Sequence, residues 1–323
     1  MQRFKQVLSV AGSLVLLSLP VIAWTQRQAI TDYVRLRNYT PSAEIAKIAD
    51  RASFNDDGKK LFYVNHPLLL DRNQFNENCT SVEQSIVLGC YVEQQGIYLF
   101  DVEEERLDGV EEVTAAHEML HVAYERLSSA DKAMVDDLTQ QAFKSLTNER
   151  IIGVVESYRD RDPSIVSNEL HSIIGTEVRQ IPIELEQYYR RYFVDRKAVV
   201  TLAEKYEKAF TEREDKIKEY DRKLSSLKAQ IDTLQADLSS QASSISSERA
   251  RLDALYASND VEAYNSAVPG FNAQVQAHNA TVQRLQSLID QHNALVAQRN
   301  ELVVEEQELV QAIDSRPQTI NSQ

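Results

Sequence analysis

The chain is 323 residues long, enough for one catalytic-sized domain and an extension. Its 35 lysines and arginines stand against 49 aspartates and glutamates, and the formal charge of −14 argues against nucleic acid, or any other polyanion, as a main partner.

The N-terminus carries Arg3 and Lys5 and then an uncharged run from Val7 to Trp24, near the minimum length for crossing a bilayer, with Trp24 suited to the interface. No A-x-A site stands at Val21-Ile22-Ala23, which favours an uncleaved anchor over a signal peptide; this segment is bounded at residues 1–28 and followed by a linker over 29–58. The chain's two cysteines, Cys79 and Cys90, lie close together and predict a short-loop disulfide, which needs an oxidising compartment. Anchor and disulfide together point to a membrane-anchored protein with an extracytoplasmic body, periplasmic or cell-surface.

Asn55-Asp56-Asp57-Gly58 has turn chemistry, and Lys60–Asn65, Ser85–Val92 and Gly96–Val102 have strand character, so a small antiparallel sheet is expected. His66, beside Pro67, reads as a surface or hydrogen-bonded histidine. The run from Val110 to Leu127 is an uninterrupted helix former with Val113, Ala116, Leu120, Ala123, Tyr124 and Leu127 at helical spacing. Inside it stands His117-Glu118-Met119-Leu120-His121, an HExxH motif. Positions i and i+4 share a helix face, so both imidazoles can meet one Zn2+ ion while Glu118 lies beside it as a base for a water molecule. Ser128 and Asp131 stand at capping-box spacing before a second helix, Ala133–Leu146, and helical character returns around Val154–Tyr158 until Asp162-Pro163.

A strand followed by an HExxH helix resembles the layout of the zincin metallopeptidases. The stretch Asn168-Glu169-Leu170-His171-Ser172 is similar to the NExxS part of the third-ligand motif in the gluzincin branch, with Ile173 where that family carries an aspartate. The extended metzincin motif is absent, because VAYERL follows His121 without its glycine and third histidine. The resemblance covers residues 60–195. It implies Glu169 as third ligand, with His171, Glu156 and Glu177 as the other candidates. Glu169 and His171 are about 200° apart around a helix, so only one of them can face the ion. His171, or a tyrosine among Tyr188, Tyr189 and Tyr192, is then left to stabilise the oxyanion of a hydrolytic intermediate.

After Gly175 the chain is nearly free of glycine and proline. Pro182 is expected to open one long helix, from Ile183 to about Ser258, Pro269-Gly270 to turn the chain, and a second helix to run from Phe271 to Asp314. Ile217, Tyr220, Leu224, Leu227, Ile231, Leu234 and Leu238 make a heptad seam in the first. Val275, Val282, Ile289, Val296, Val303 and Val310 recur every seven residues in the second, flanked by Leu288, Leu295, Leu302 and Leu309.

The expected fold class is α+β: a small antiparallel sheet with zincin-like active-site helices over 59–195, a long antiparallel coiled-coil hairpin over 196–314, and a disordered tail over 315–323. The expected function is zinc-dependent hydrolysis of a peptide or protein substrate. His117, His121 and Glu169 are the metal ligands, and Glu118 and His171 the catalytic residues. The competing reading is a cell-envelope scaffold whose coiled coil binds a protein partner and whose metal site is structural or vestigial.

Overall fold

The structure, a computed structural model, describes residues 26–79 and 86–317. The expected N-terminal anchor falls almost wholly outside these residues; among them no helix is long and apolar enough to cross a membrane. Two compact units are present, one ending at Ala209 and resumed from Val310, the other spanning Phe210–Leu309.

The first unit is mostly helical. Helices α1 (Arg27–Arg37), α2 (Ala43–Arg51) and α3 (Asp56–Tyr63) precede strand β1 (Leu68–Leu70), helix α4 (Arg72–Asn78) and strands β2 (Gly89–Val92) and β3 (Gly96–Phe100). Helices α5 (Val110–Glu125), α6 (Ser129–Lys144), α7 (Glu149–Arg161), α8 (Val166–Glu177) and α9 (Ile183–Tyr189) follow. Then come the long helices α10 (Arg196–Ala257) and α11 (Val261–Ile313).

Three expectations need correction here. Residues 29–58 are no linker: α1, α2 and the first turn of α3 are folded, and Ile45, Ile48 and Ala49 lie in the core. Lys60–Asn65 is no strand, because Asn55 accepts from the Gly58 amide and Asp56 and Asp57 favour the positive helix N-terminus, so a cap overrides the strand character of Phe62-Tyr63-Val64. The sheet is mixed, ordered β1-β3-β2, with β1 parallel and β2 antiparallel to β3. The parallel member is Leu68–Leu70, an apolar run after Pro67 too short to show any alternation.

Helix α5 is buried almost all round, as a central helix should be. Ala115, Ala116, Met119, Leu120, Val122 and Ala123 are at most 2% exposed. Each fully buried large apolar side chain contributes about 1.5–3 kcal/mol to the fold. Helix α8 packs closely on it: a Cβ at Gly175 would stand 2.4 Å from Leu120 Cδ1 and 2.9 Å from Tyr189 Cε1, so glycine is what permits the approach. Ser128 caps α6 through the Asp131 amide, as its spacing predicts. Cys79 and Cys90 form a disulfide with Cα atoms 6.0 Å apart, tying the end of α4 to β2. Ser315 is buried, donating to the Val87 carbonyl at 2.5 Å while its own carbonyl accepts from Asn76, so the chain is ordered into the segment expected as tail.

The second unit is an antiparallel hairpin of α10 and α11, with a different turn from the expected one. Helix α10 begins only at Arg196, where Asp195 accepts from the Lys197 amide, so α9 is a separate element. It ends at Ala257. Asn259 takes φ of 56°, Asp260 N bonds Leu255 O and Asn259 N bonds Tyr256 O, a Schellman ending with asparagine in the left-handed position. Asp260 then caps α11 through the Ala263 amide. Pro269 lies inside α11 and does not turn the chain.

The pairing Arg213–Glu305, Asp221–Arg299 and Gln241–Thr281 sets the register. The expected seam of α10 is the less exposed stripe of that helix, with Leu252 buried, and the leucines of α11 face in with Leu309 buried, whereas Val282 and Val310 are exposed. Spin labels at positions 221 and 299 are therefore expected within side-chain reach of each other, and labels at 221 and 259 about 57 Å apart at 1.5 Å per residue. A long 221–299 distance in dipolar spectroscopy on a monomeric sample would refute the hairpin.

Glu111, in the first turn of α5, accepts from the Val102 amide at 3.0 Å. Burial, aided by Asp101 and Glu112, pushes its carboxyl up to about 7. A raised folded value means that the native state holds the proton more tightly, so this contribution is complete below pH 4.5 and is lost as pH rises through 7. Glu111→Gln is expected to raise the melting temperature at pH 8 and to leave it nearly unchanged at pH 4.5. An equal shift at both pH values would contradict this reading.

Candidate metal centre

His117 and His121 lie one turn apart on α5, their ring centroids 4.7 Å apart. Across from them α8 presents Glu169. His117 Nε2 stands 3.5 Å from Glu169 Oε2, and His121 Nε2 stands 3.7 Å from Glu169 Oε1. One ligand atom from each of the three lies within 4.8 Å of the others, the group of this kind found among the described residues. These separations are long for hydrogen bonds, and close to the roughly 3.4 Å between tetrahedral ligands each about 2.1 Å from one ion. Glu169 Oε2 is buried without a hydrogen-bond partner, which is costly unless something positive shares it. Burial would push the Glu169 carboxyl up, but His117 and His121 beside it outweigh that and hold it below the usual carboxylate value. An oxygen and two imidazole nitrogens suit a borderline dication such as zinc, without selecting zinc alone.

The far side of His121 is also held. Its Nδ1 stands 3.0 Å from Asn168 Oδ1 and 3.3 Å from Ser172 Oγ. An amide oxygen can only accept, so Nδ1–H donates to it, and this contact turns Nε2 toward Glu169. Asn168 and Ser172 thus supply the contact that orients His121 from behind. In the sequence the only mark of these two residues is their spacing of four on either side of Glu169.

Glu118 is 6% exposed and lines the same cavity, of about 550 Å³, as the two histidines and Glu169. Strand β2 forms part of the wall and comes very near it: a Cβ at Gly89 would meet Thr114 Cγ2 at 2.5 Å and Glu118 Cγ at 2.9 Å. Tyr91, Tyr158, Tyr206 and Glu125 also line the cavity, and the sequence did not single these out for the site.

His171 does not reach the cavity. It is fully buried behind α8, its Nε2 2.9 Å from the Tyr188 hydroxyl and its backbone carbonyl accepting from Tyr189 at 2.6 Å. Burial, with the histidines of α5 adding to it, pushes the imidazole down to about 3, so the ring is neutral and structural. Tyr188, Tyr189 and Tyr192 pack in that aromatic cluster and do not line the cavity. Of the other proposed ligands, Glu156 pairs with Arg159 at 2.5 Å, and Glu177 lines the cavity but is held by Arg150.

No protein-family model, curated protein or solved structure matches the chain.

Asn168→Ala is expected to leave the fold intact and weaken metal binding about 10–100-fold, read by competition with a chelating dye. Glu169→Ala is expected to abolish it. Unchanged affinity in both variants would remove the three-residue site.

Proposed function

We propose that this protein is a metal-dependent peptidase, using zinc held by His117, His121 and Glu169, on a peptide or protein substrate. The observation that supports the reading is the convergence of those three side chains on the wall of an open cavity that also holds the Glu118 carboxylate. A dication bound there supplies Lewis-acid polarisation of a carbonyl and lowers the pKa of a bound water.

The chain's own residues do the rest. Glu118 takes the proton of the attacking water and returns it to the leaving amine. Asn168 and Ser172 keep His121 Nε2 turned toward the ligand set. Gly89 lets β2 close against Glu118, which keeps this carboxylate largely out of bulk water. The oxyanion role expected of His171 is dropped, since its ring is sealed from the cavity. The body acts outside the cytoplasm, a reading supported by the Cys79–Cys90 disulfide.

The long hairpin favours one competing reading, a scaffold with a structural metal, and Glu118 separates the two because a structural site has no need of a base. Glu118→Gln is expected to retain stoichiometric metal, measured by plasma mass spectrometry, while peptide turnover falls about 10²–10⁴-fold. A wild type that binds metal and cleaves no member of a peptide library, or a variant of equal activity, would sink the enzymatic reading.

A further inference from the structure

We infer that the cavity selects substrates carrying a lysine or arginine near the reacting bond, with Glu125 as the residue that sets this preference; the inference rests on the peptidase reading above. Four glutamates line the cavity, Glu118, Glu125, Glu169 and Glu177, and no lysine or arginine is among the lining residues described. Three of the four are committed. Glu169 faces the two histidines, Glu118 is buried beside them, and Glu177 is paired with Arg150.

Glu125 differs in that its contact is with a neutral group, the Tyr91 phenol, and not with a cation. It is exposed, and at i+4 from His121 and i+8 from His117 it continues the same face of α5 by one turn. Its charge therefore lies along the cavity, beyond the metal ligands and next to Tyr91 of β2. Burial first, and then that charge and the hydrogen bond between the phenol and Glu125, push the Tyr91 phenol up. The following residue, Arg126, is committed to Asp32, with contacts of 2.8 and 3.1 Å to its two oxygens. Arg161 acts on Glu169 through space and is not part of the wall.

The position of Glu125 also runs against helix stability. It is the last residue of α5, where the macrodipole is negative, and the last turn holds no basic residue. A carboxylate there adds to the negative potential of the helix end, so the helix gains nothing from it. A cationic substrate side chain would gain from both, and the chain's charge of −14 steers such substrates inward.

The test uses the full-length, zinc-loaded protein with Glu118→Gln, so that binding is read without turnover. The probes are two dansylated pentapeptides that differ only in a central Lys or Glu. The Lys peptide is expected to bind about tenfold more tightly at low ionic strength, with the difference shrinking as salt is added. Adding Glu125→Gln is expected to cut the ratio by about threefold. Glu125→Lys is expected to bring it to one or below, with a melting temperature no lower than that of the parent. Equal binding of the two peptides, or a preference that Glu125→Lys leaves intact, overturns the inference. Wild type that cleaves both peptides equally well overturns it and leaves the peptidase reading standing. A charge preference in binding, with no cleavage of either peptide by the wild type, supports the role of Glu125 and counts against the peptidase reading alone.

Discussion

The close approach of α8 to α5 is the constraint on which the candidate site depends. Gly175 has no side chain to hold the helices apart, and Leu120 and Tyr189 fill the space a Cβ would take. With α8 in that position its helical phase divides the residues. Asn168, Glu169 and Ser172 fall within an arc of about 100° toward α5, while Leu170, His171 and Ile174 point into the core. Ligand, orienting amide and orienting hydroxyl therefore come from a single turn. A bulkier residue at 175 would move all three together, and the separations of 3.5 and 3.7 Å between Glu169 and the histidines would open with them.

Two ion pairs hold the ends of these helices. Asp32 of α1, itself buried, grips Arg126 at the C-terminus of α5. Arg196, at the start of α10 and 2% exposed, donates to the carbonyls of Ile174, Gly175, Val178 and Arg179 and pairs with Glu186. The last carbonyls of a helix have no partner of their own, and a fixed guanidinium meets both their hydrogen-bonding need and the negative end of the dipole. Breaking such a buried pair on one side costs about 3–5 kcal/mol. The histidine and glutamate side chains thus project from helices that are pinned rather than from mobile loops.

What could be read from the sequence was what local chemistry writes into short spacing. The i, i+4 histidines, the Ser128 cap, the close cysteines and the 200° between Glu169 and His171 each follow from the geometry of one element, and each has its counterpart in the fold. The misreadings arose where two local signals compete. Asn55 with two aspartates outweighs the strand character that follows it, and Asn259-Asp260 supplies both a left-handed ending and a new cap, so no turn is needed at Pro269. Roles that depend on tertiary phase were out of reach: nothing in Asn168 or Ser172 alone says that it faces His121, and nothing in Gly89 says that a carboxylate lies against it.

Gly89 also explains why the disulfide is where it is. Strand β2 has β3 on one side and no strand on the other among the described residues, so the ladder alone leaves it weakly held. Yet β2 must stay within a fraction of an ångström of its place, because Gly89 packs on Thr114 and Glu118 with no room for even a methyl group. Cys90, the next residue, is tied to Cys79 across a separation of 11 residues, a loop whose closure removes about 3 kcal/mol of entropy from the unfolded chain. Three residues earlier, Val87 accepts from Ser315 at 2.5 Å. The wall of the cavity is thus fastened on both sides of the glycine that touches the proposed base, and an oxidising environment is what keeps the stronger of the two fastenings closed.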